Sequence, residues 1–143
     1  MKKVLFGVIA LTLSILFLTG CAGKTETITC TYDQTVSSVQ LNSKVIITLV
    51  DSKFDKMDMT IEAVLPENLI SSKQTFVDSF KTQYASFESQ YGVKPVISET
   101  DTGVLVTITM DGEQAKEYSG SSNLKTSRSE VIESFEKQNF KCS

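Results

Sequence analysis

A chain of 143 residues with a net charge of −3 and no histidine excludes several chemistries before any motif is sought. Histidine is the usual general base and metal ligand near neutral pH, so Ser–His and Cys–His hydrolysis and His-ligated zinc or copper sites are ruled out. Mild acidity without a basic stripe argues against nucleic acid as a partner.

Residues 1–21 set the address of everything that follows. Lys2 and Lys3 give a basic start, residues 4–18 are apolar except for Thr12 and Ser14, and Leu18-Thr19-Gly20-Cys21 closes the segment. A basic start, an apolar stretch of about 7–15 residues and a small-residue cleavage site define a secretory signal. The apolar run falls short of the ~20 residues that a bilayer-spanning helix needs. The four closing residues resemble the lipobox of bacterial lipoproteins. That resemblance implies cleavage before Cys21, a diacylglycerylated thiol there and a mature chain that begins at that residue. An ordinary cleaved signal, or an uncleaved anchor with Cys21 incidental, are the competing readings. The expected layout is a signal peptide over residues 1–20, a lipidated tether over 21–24 and one domain over 25–143. Its address is the extracytoplasmic face of the cell membrane.

Loss of the first 20 residues leaves 123 and removes Lys2 and Lys3, which moves the net charge from −3 to −5. Such a body is repelled by anionic headgroups, so Cys21 alone is expected to hold the membrane. Acyl chains suffice, because each buried methylene contributes about 0.8 kcal/mol. With Cys21 taken by lipid, Cys30 and Cys142 are an even pair in an oxidising compartment. A disulfide between them is expected, with two free thiols as the alternative.

Along the domain, Glu26, Ile28, Cys30 and Tyr32 alternate with Thr25, Thr27, Thr29 and Thr31, which predicts a strand. Residues 33–43 are polar and serine-rich and are expected to be a loop or an irregular strand. Residues 44–50 are apolar on both faces, as in a strand that is central or covered on both sides. After a turn over 51–55, Met57, Met59, Ile61, Ala63 and Leu65 alternate with polar neighbours up to Pro66, predicting a half-buried strand. Phe76, Phe80, Tyr84, Phe87 and Tyr91 then recur every three or four residues, one face of a long helix. Ser71 with Gln74 would cap its start and Gly92 its end. The aromatic stripe is expected to be core rather than a ligand platform. An edge strand over 93–100, a turn at Asp101-Thr102-Gly103 and a strand over 104–110 make a hairpin. Residues 113–118 suggest a helical turn and 119–123 a loop. Ser127 and Glu130 predict a second capping box, Asn139 a helix stop, and residues 140–142 a return to Cys30.

The sum is an α+β domain: an antiparallel sheet of about five or six strands with two helices packed on one face. In this order of elements the chain resembles the YehR-like family of small bacterial lipoproteins. The likeness rests on the lipobox, the Ile28-Thr29-Cys30-Thr31 strand, the strand pair over 45–65, the aromatic helix and Tyr91-Gly92-Val93. The hairpin ending over 104–110 and the closing helix over 129–137 before Cys142 complete it. The resemblance implies an envelope location and an antiparallel sheet packed by helices, and it carries no activity and no functional residues.

Other constellations fail on their own chemistry. Asp51 and Glu62 have EF-hand spacing, but the third and sixth places hold Lys53 and Lys56, where an acid or asparagine and a glycine are needed. Ser122 with Lys125, and Ser134 with Lys137, match Ser-x-x-Lys without the accompanying Ser-Asp-Asn or Lys-Thr-Gly. Asp111 and Glu113 flank a glycine in turn chemistry. No cofactor or metal is expected, and the chain is read as a non-enzymatic binding module with a possible envelope protein partner. The polar sheet face with Thr25, Thr27, Thr29, Thr107 and Thr109, and the loop over 119–123, are the candidate surfaces. An enzyme using carboxylates or a lysine, or a carrier of an apolar ligand between helix and sheet, are the alternatives. A cleft with convergent ionisable groups would mark the enzyme, and a cavity beside Phe80 and Tyr84 the carrier.

Overall fold

The computed structural model of the chain describes residues 23–119 and 125–143. Strands β1 (Thr25–Val36), β2 (Val39–Val50) and β3 (Lys53–Val64) form a meander joined by two-residue turns. Ser37 and Ser38 have φ of 50° and 71°, and Asp51 and Ser52 have φ of 51° and 58°. Positive φ at both central residues is the geometry of type I′ turns, whose twist matches the strands they join. Residues 33–43 are therefore no loop: β1 and β2 stay paired up to Val36 opposite Val39. Ser-Ser lacks the Asn-Gly signature of such turns, and that hid the hairpin. The Asp51 turn also holds the start of β1. Its Oδ1 accepts from the Lys24 amide at 2.9 Å, and its own N–H donates to the Lys24 carbonyl at 2.9 Å.

After Pro66 a 3₁₀ helix (Glu67–Ser72) runs straight into α1 (Lys73–Gln83), and α2 (Phe87–Tyr91) follows. The single long helix expected here is broken. Tyr84 N–H still reaches the Phe80 carbonyl, but Ala85 N–H turns to Thr82, a tighter bond that ends the α pattern. The expected Ser71–Gln74 capping box is absent, and Gln74 instead donates to Asp78. The 3₁₀ helix removes the need for it, since the Lys73 amide bonds to the Ile70 carbonyl. Gly92 stops α2 as expected, at φ 66°.

Strands β4 (Val96–Glu99) and β5 (Gly103–Asp111), helices α3 (Gly112–Ser119) and α4 (Arg128–Glu136), and β6 (Lys141–Cys142) complete the described elements. The strand order is β4-β5-β3-β2-β1-β6, with every pairing antiparallel. Asp111 is more than a strand breaker. Its carboxylate accepts from Gln114 N–H at 2.8 Å and its N–H donates to Gln114 Oε1 at 3.0 Å, a reciprocal cap for α3. The capping box of Ser127 and Glu130 opens α4 as the sequence predicts. Asn139, at φ 67°, lets the chain reverse into β6.

One sheet face carries the core. Ile28, Cys30, Val45, Ile47, Leu49, Ala63, Val104, Val106 and Ile108 are all buried there. Val131, Ile132 and Phe135 of α4 cover the β1–β2 end. Phe76, Val77 and Phe80 of α1 close over Ala63 and Val104, and Phe80, Tyr84 and Phe87 over Val93, Val106 and Ile108. Phe76, Phe80, Tyr84 and Phe87 of the stripe thus pack half-buried against the core, while Tyr91 lies against Phe87 with ring centroids 4.5 Å apart; each buried aliphatic side chain beneath them contributes about 1.5–3 kcal/mol. Two helices on one face is corrected to four α-helices and the 3₁₀ helix among the described residues: α1 and α4 cover the sheet, α2 extends α1, and α3 rests on β3, β5 and α2. Among the described residues, central β2 is covered on one side only. Its Ile46, Thr48 and Val50 are half-buried on the other face, and no residue of that face belongs to a core cluster.

Candidate functional site

The open face follows from strand alternation and register. Thr25, Thr27, Thr29 and Thr31 of β1 sit opposite Val50, Thr48, Ile46 and Lys44 of β2. Lys56, Asp58 and Thr60 of β3 stand beside Thr48, Ile46 and Lys44. Thr109 and Thr107 of β5 continue those last two rows, and Val96 of β4 ends one of them. The threonines singled out in the sequence therefore share one surface. Thr48, Thr60 and Ile46 also belong to it, and sequence reasoning missed them. Only the register of β2 against β1 and β3 reveals that alternate residues of an apolar run face outward.

Asp58 is the best-held charge on this face. Lys56 Nζ lies 2.9 Å from Oδ2, and Thr109 Oγ1 donates to Oδ1 at 2.9 Å. The hydrogen bond from Lys56, helped by Thr109 and by the lysine's charge, lowers the Asp58 pKa against a smaller opposing effect of burial. A lowered carboxylate pKa contributes stability above the unfolded value near 3.9, and that stability is lost as pH falls through the folded value. Asp58→Asn is expected to flatten the pH dependence of unfolding below about pH 4. Urea unfolding at pH 3 and pH 6 checks this, and equal slopes in both proteins would refute it.

Other shifted groups are surface pairs. Lys24 lowers the Glu26 pKa by hydrogen bond and charge, and the Ser127 amide and hydroxyl lower that of Glu130. Burial raises the Tyr84 phenol. No polar side chain among the described residues is fully buried, and no group of three or more Asp, Glu or Cys could hold a metal. Asp58 and Glu62 stand on the open face, whereas Asp51 lies in the turn beyond β2. Lys125 bridges to Lys53, and Lys137 pairs with Glu133 at 2.7 Å. Ser122, residues 120–123 of the candidate loop and Cys21 lie outside the described residues.

Next to Tyr84 a hollow of ≈ 160 Å³ is lined by Lys81, Tyr84, Ala85, Glu88, Lys94, Pro95 and Ile97. Lys81, Glu88 and Lys94 bring charge to it beside Tyr84, Ala85, Pro95 and Ile97, and Phe80 is not among its walls.

At the other edge a disulfide joins Cys30 and Cys142, as the cysteine count predicts. The Cα atoms are 4.0 Å apart, and the two residues lie directly opposite in the β1–β6 pair. Thr29 and Ser143 beside them exchange both backbone hydrogen bonds, at 3.0 and 2.9 Å. Cys30 is fully buried, with Val131, Phe135 and Phe140 in the surrounding cluster.

No protein-family model matches the chain, and no curated protein is similar to it. A protein from Streptococcus pneumoniae TIGR4, solved by NMR, is similar at a TM-score of 0.49 and 14% identity, over 100% of this chain and 99% of that one. Among the described residues no helix is long and apolar enough to cross a membrane.

Proposed function

We propose that the protein is an envelope lipoprotein of the YehR-like kind, held to the extracytoplasmic face of the cell membrane by an acylated Cys21. Its domain acts there as a non-enzymatic binding module, with the open sheet face as its contact surface. One structural observation carries the binding reading: among the described residues, helices pack on one face of the sheet and leave the threonine-rich face without a layer. The basic, apolar and Leu18-Thr19-Gly20-Cys21 segments support the anchor. The Cys30–Cys142 bridge supports an oxidising compartment. The domain starts at Thr25, so a tether of a few residues would keep it close to the membrane surface.

Metabolic labelling with palmitate tests the anchor. The full chain should take up label and sediment with membranes, and Cys21→Ser should lose both. Unlabelled, uncleaved protein in the cytosol would refute it. For the contact surface, Ile46→Lys and Thr107→Lys should weaken in-cell cross-links to any partner without altering the melting curve.

A further inference from the structure

Cys30 has two cysteines to choose from in the sequence, and the fold admits one of them. Cys21 stands nine positions before it, and Cys142 stands 112 positions after it. In the unfolded chain the shorter loop closes more readily, by about fortyfold if closure follows the 3/2 power of loop length. A chain exported from its N-terminus also presents Cys21 and Cys30 to an oxidant before Cys142 has crossed. The folded β1 excludes that near pair. Lys24 is held to the Asp51 turn by two hydrogen bonds of 2.9 Å. From Lys24 to Cys30 are six steps of extended chain, about 20 Å. Cys21 lies three residues before Lys24, at most about 11 Å away. The shortfall of about 9 Å exceeds the ~7 Å over which a disulfide joins two Cα atoms. Nor does the β1–β2 hairpin shield the thiol by itself. Cys30 is fully buried in a cluster with Val131, Phe135, Phe140 and Cys142, which come with α4, β6 and the turn between them.

We propose, on the reading that Cys21 is acylated, that this acylation comes before the oxidation of Cys30. The lipid then does more than anchor the chain: it removes the thiol that would divert Cys30 from Cys142. The order concerns two reactions. In the first, the Cys21 sulfur gains a bond to a diacylglyceryl carbon. That carbon gives up its bond to the headgroup phosphate of a donor phospholipid, and the thiol proton leaves with the phosphate. In the second, an exported dithiol–disulfide oxidoreductase joins the sulfurs of Cys30 and Cys142 and takes up their two protons and two electrons. Exchange needs an attacking thiolate, and the thioether at Cys21 supplies none, so the acylated residue can neither capture Cys30 nor later attack the finished bridge. In the reverse order the near pair forms first. A Cys21–Cys30 bond is incompatible with β1 as it lies in the sheet, so the mispaired chain loses the start of its first strand as well as the bridge.

Exchanging residues 1–20 for the cleaved signal of an exported soluble protein leaves Cys21 a free thiol and tests the order in cells. Free thiols are alkylated at harvest, and cleavage after lysine puts the three cysteines on separate peptides, so mass spectrometry without reduction reads each pairing. The exchanged chain should hold roughly tenfold more Cys21–Cys30 bond than the parent, with Cys142 alkylated. Adding Cys21→Ala to the exchanged chain should bring back the Cys30–Cys142 bond, because the free thiol and not the missing lipid causes the fault. Native pairing in the exchanged chain beside an alkylated Cys21 would overturn the proposal, as would failure of Cys21→Ala to restore the bridge. Palmitate labelling of the parent is read separately. A parent without label sinks the anchor reading alone, and its own free Cys21 then puts the same question to the pairing: a native bridge there would sink the order too.

Discussion

Replacing Cys30 and Cys142 together by alanine is expected to destabilise the domain by about 3 kcal/mol. The bridge spans 112 residues of sequence, and cross-links over loops of that size restrict the unfolded chain most, with measured losses of roughly 2–5 kcal/mol in exported domains. The fold has little else to hold that edge. β6 contributes two residues to the sheet, and α4 reaches the core chiefly through Val131, Ile132 and Phe135. Without the bridge, the end of α4 and Phe140 lose the covalent stop that presses them on Ile28 and Val45. Thermal melting of the double variant should fall by about 10 °C. The unaltered protein should fall as far with a reductant that reaches the bond. Superimposable melts of variant and parent would refute the expectation.

Gly103→Ala is expected to cost a similar amount, about 3 kcal/mol, through overpacking with no room to relax. Gly103 opens β5 opposite Val64 and is buried. A methyl group added there would collide with the Ala63 carbonyl oxygen and come within 3.0 Å of its carbon. Those atoms belong to the neighbouring strand and cannot rotate away as a side chain could. Opening the β3–β5 pair to admit the methyl would also strain the bond from Leu65 N–H to the Thr102 carbonyl, 2.9 Å long. Ala63, Val104 and Val77 form one cluster beside this point, so the damage enters the core. Urea unfolding measures it, and a midpoint within error of the parent would refute the clash. Gly112→Ala is the control. Its nearest contact is 3.2 Å from the Phe54 carbonyl oxygen at the start of α3, and a small change is expected there.

Much of this architecture was legible because hydrophobic period is a direct imprint of burial. Met57, Met59, Ile61 and Ala63 alternate because one face of β3 meets the core, and Phe76, Phe80, Tyr84 and Phe87 recur because one side of α1 and α2 does. Caps were legible where the residue pair is diagnostic, as at Ser127 and Glu130, and misleading at Ser71 and Gln74, where a 3₁₀ helix made a cap superfluous. Turns were the weakest signal. Ser37 and Ser38 adopt a conformation that glycine and asparagine take more readily, so composition gave no warning of the hairpin. Register was invisible for a different reason. An apolar run such as residues 44–50 looks alike whether two layers cover it or one, and only the partners of Ile46 show that, among the described residues, one side stays open. The bridge was inferred from parity and compartment alone, and the fold brings its two sulfurs together at directly opposed positions.

Ser143 exchanges both backbone hydrogen bonds with Thr29, near the beginning of the domain. A seam between β1 and β6, strands more than 100 residues apart in the chain, cannot close until β6 has been made. The hairpins β1–β2 and β2–β3 can form early from neighbours in the chain, but the seam at β6 must wait for Lys141 to Ser143. Deleting residues 141–143 should therefore leave nascent-like, protease-sensitive material rather than a slightly trimmed domain.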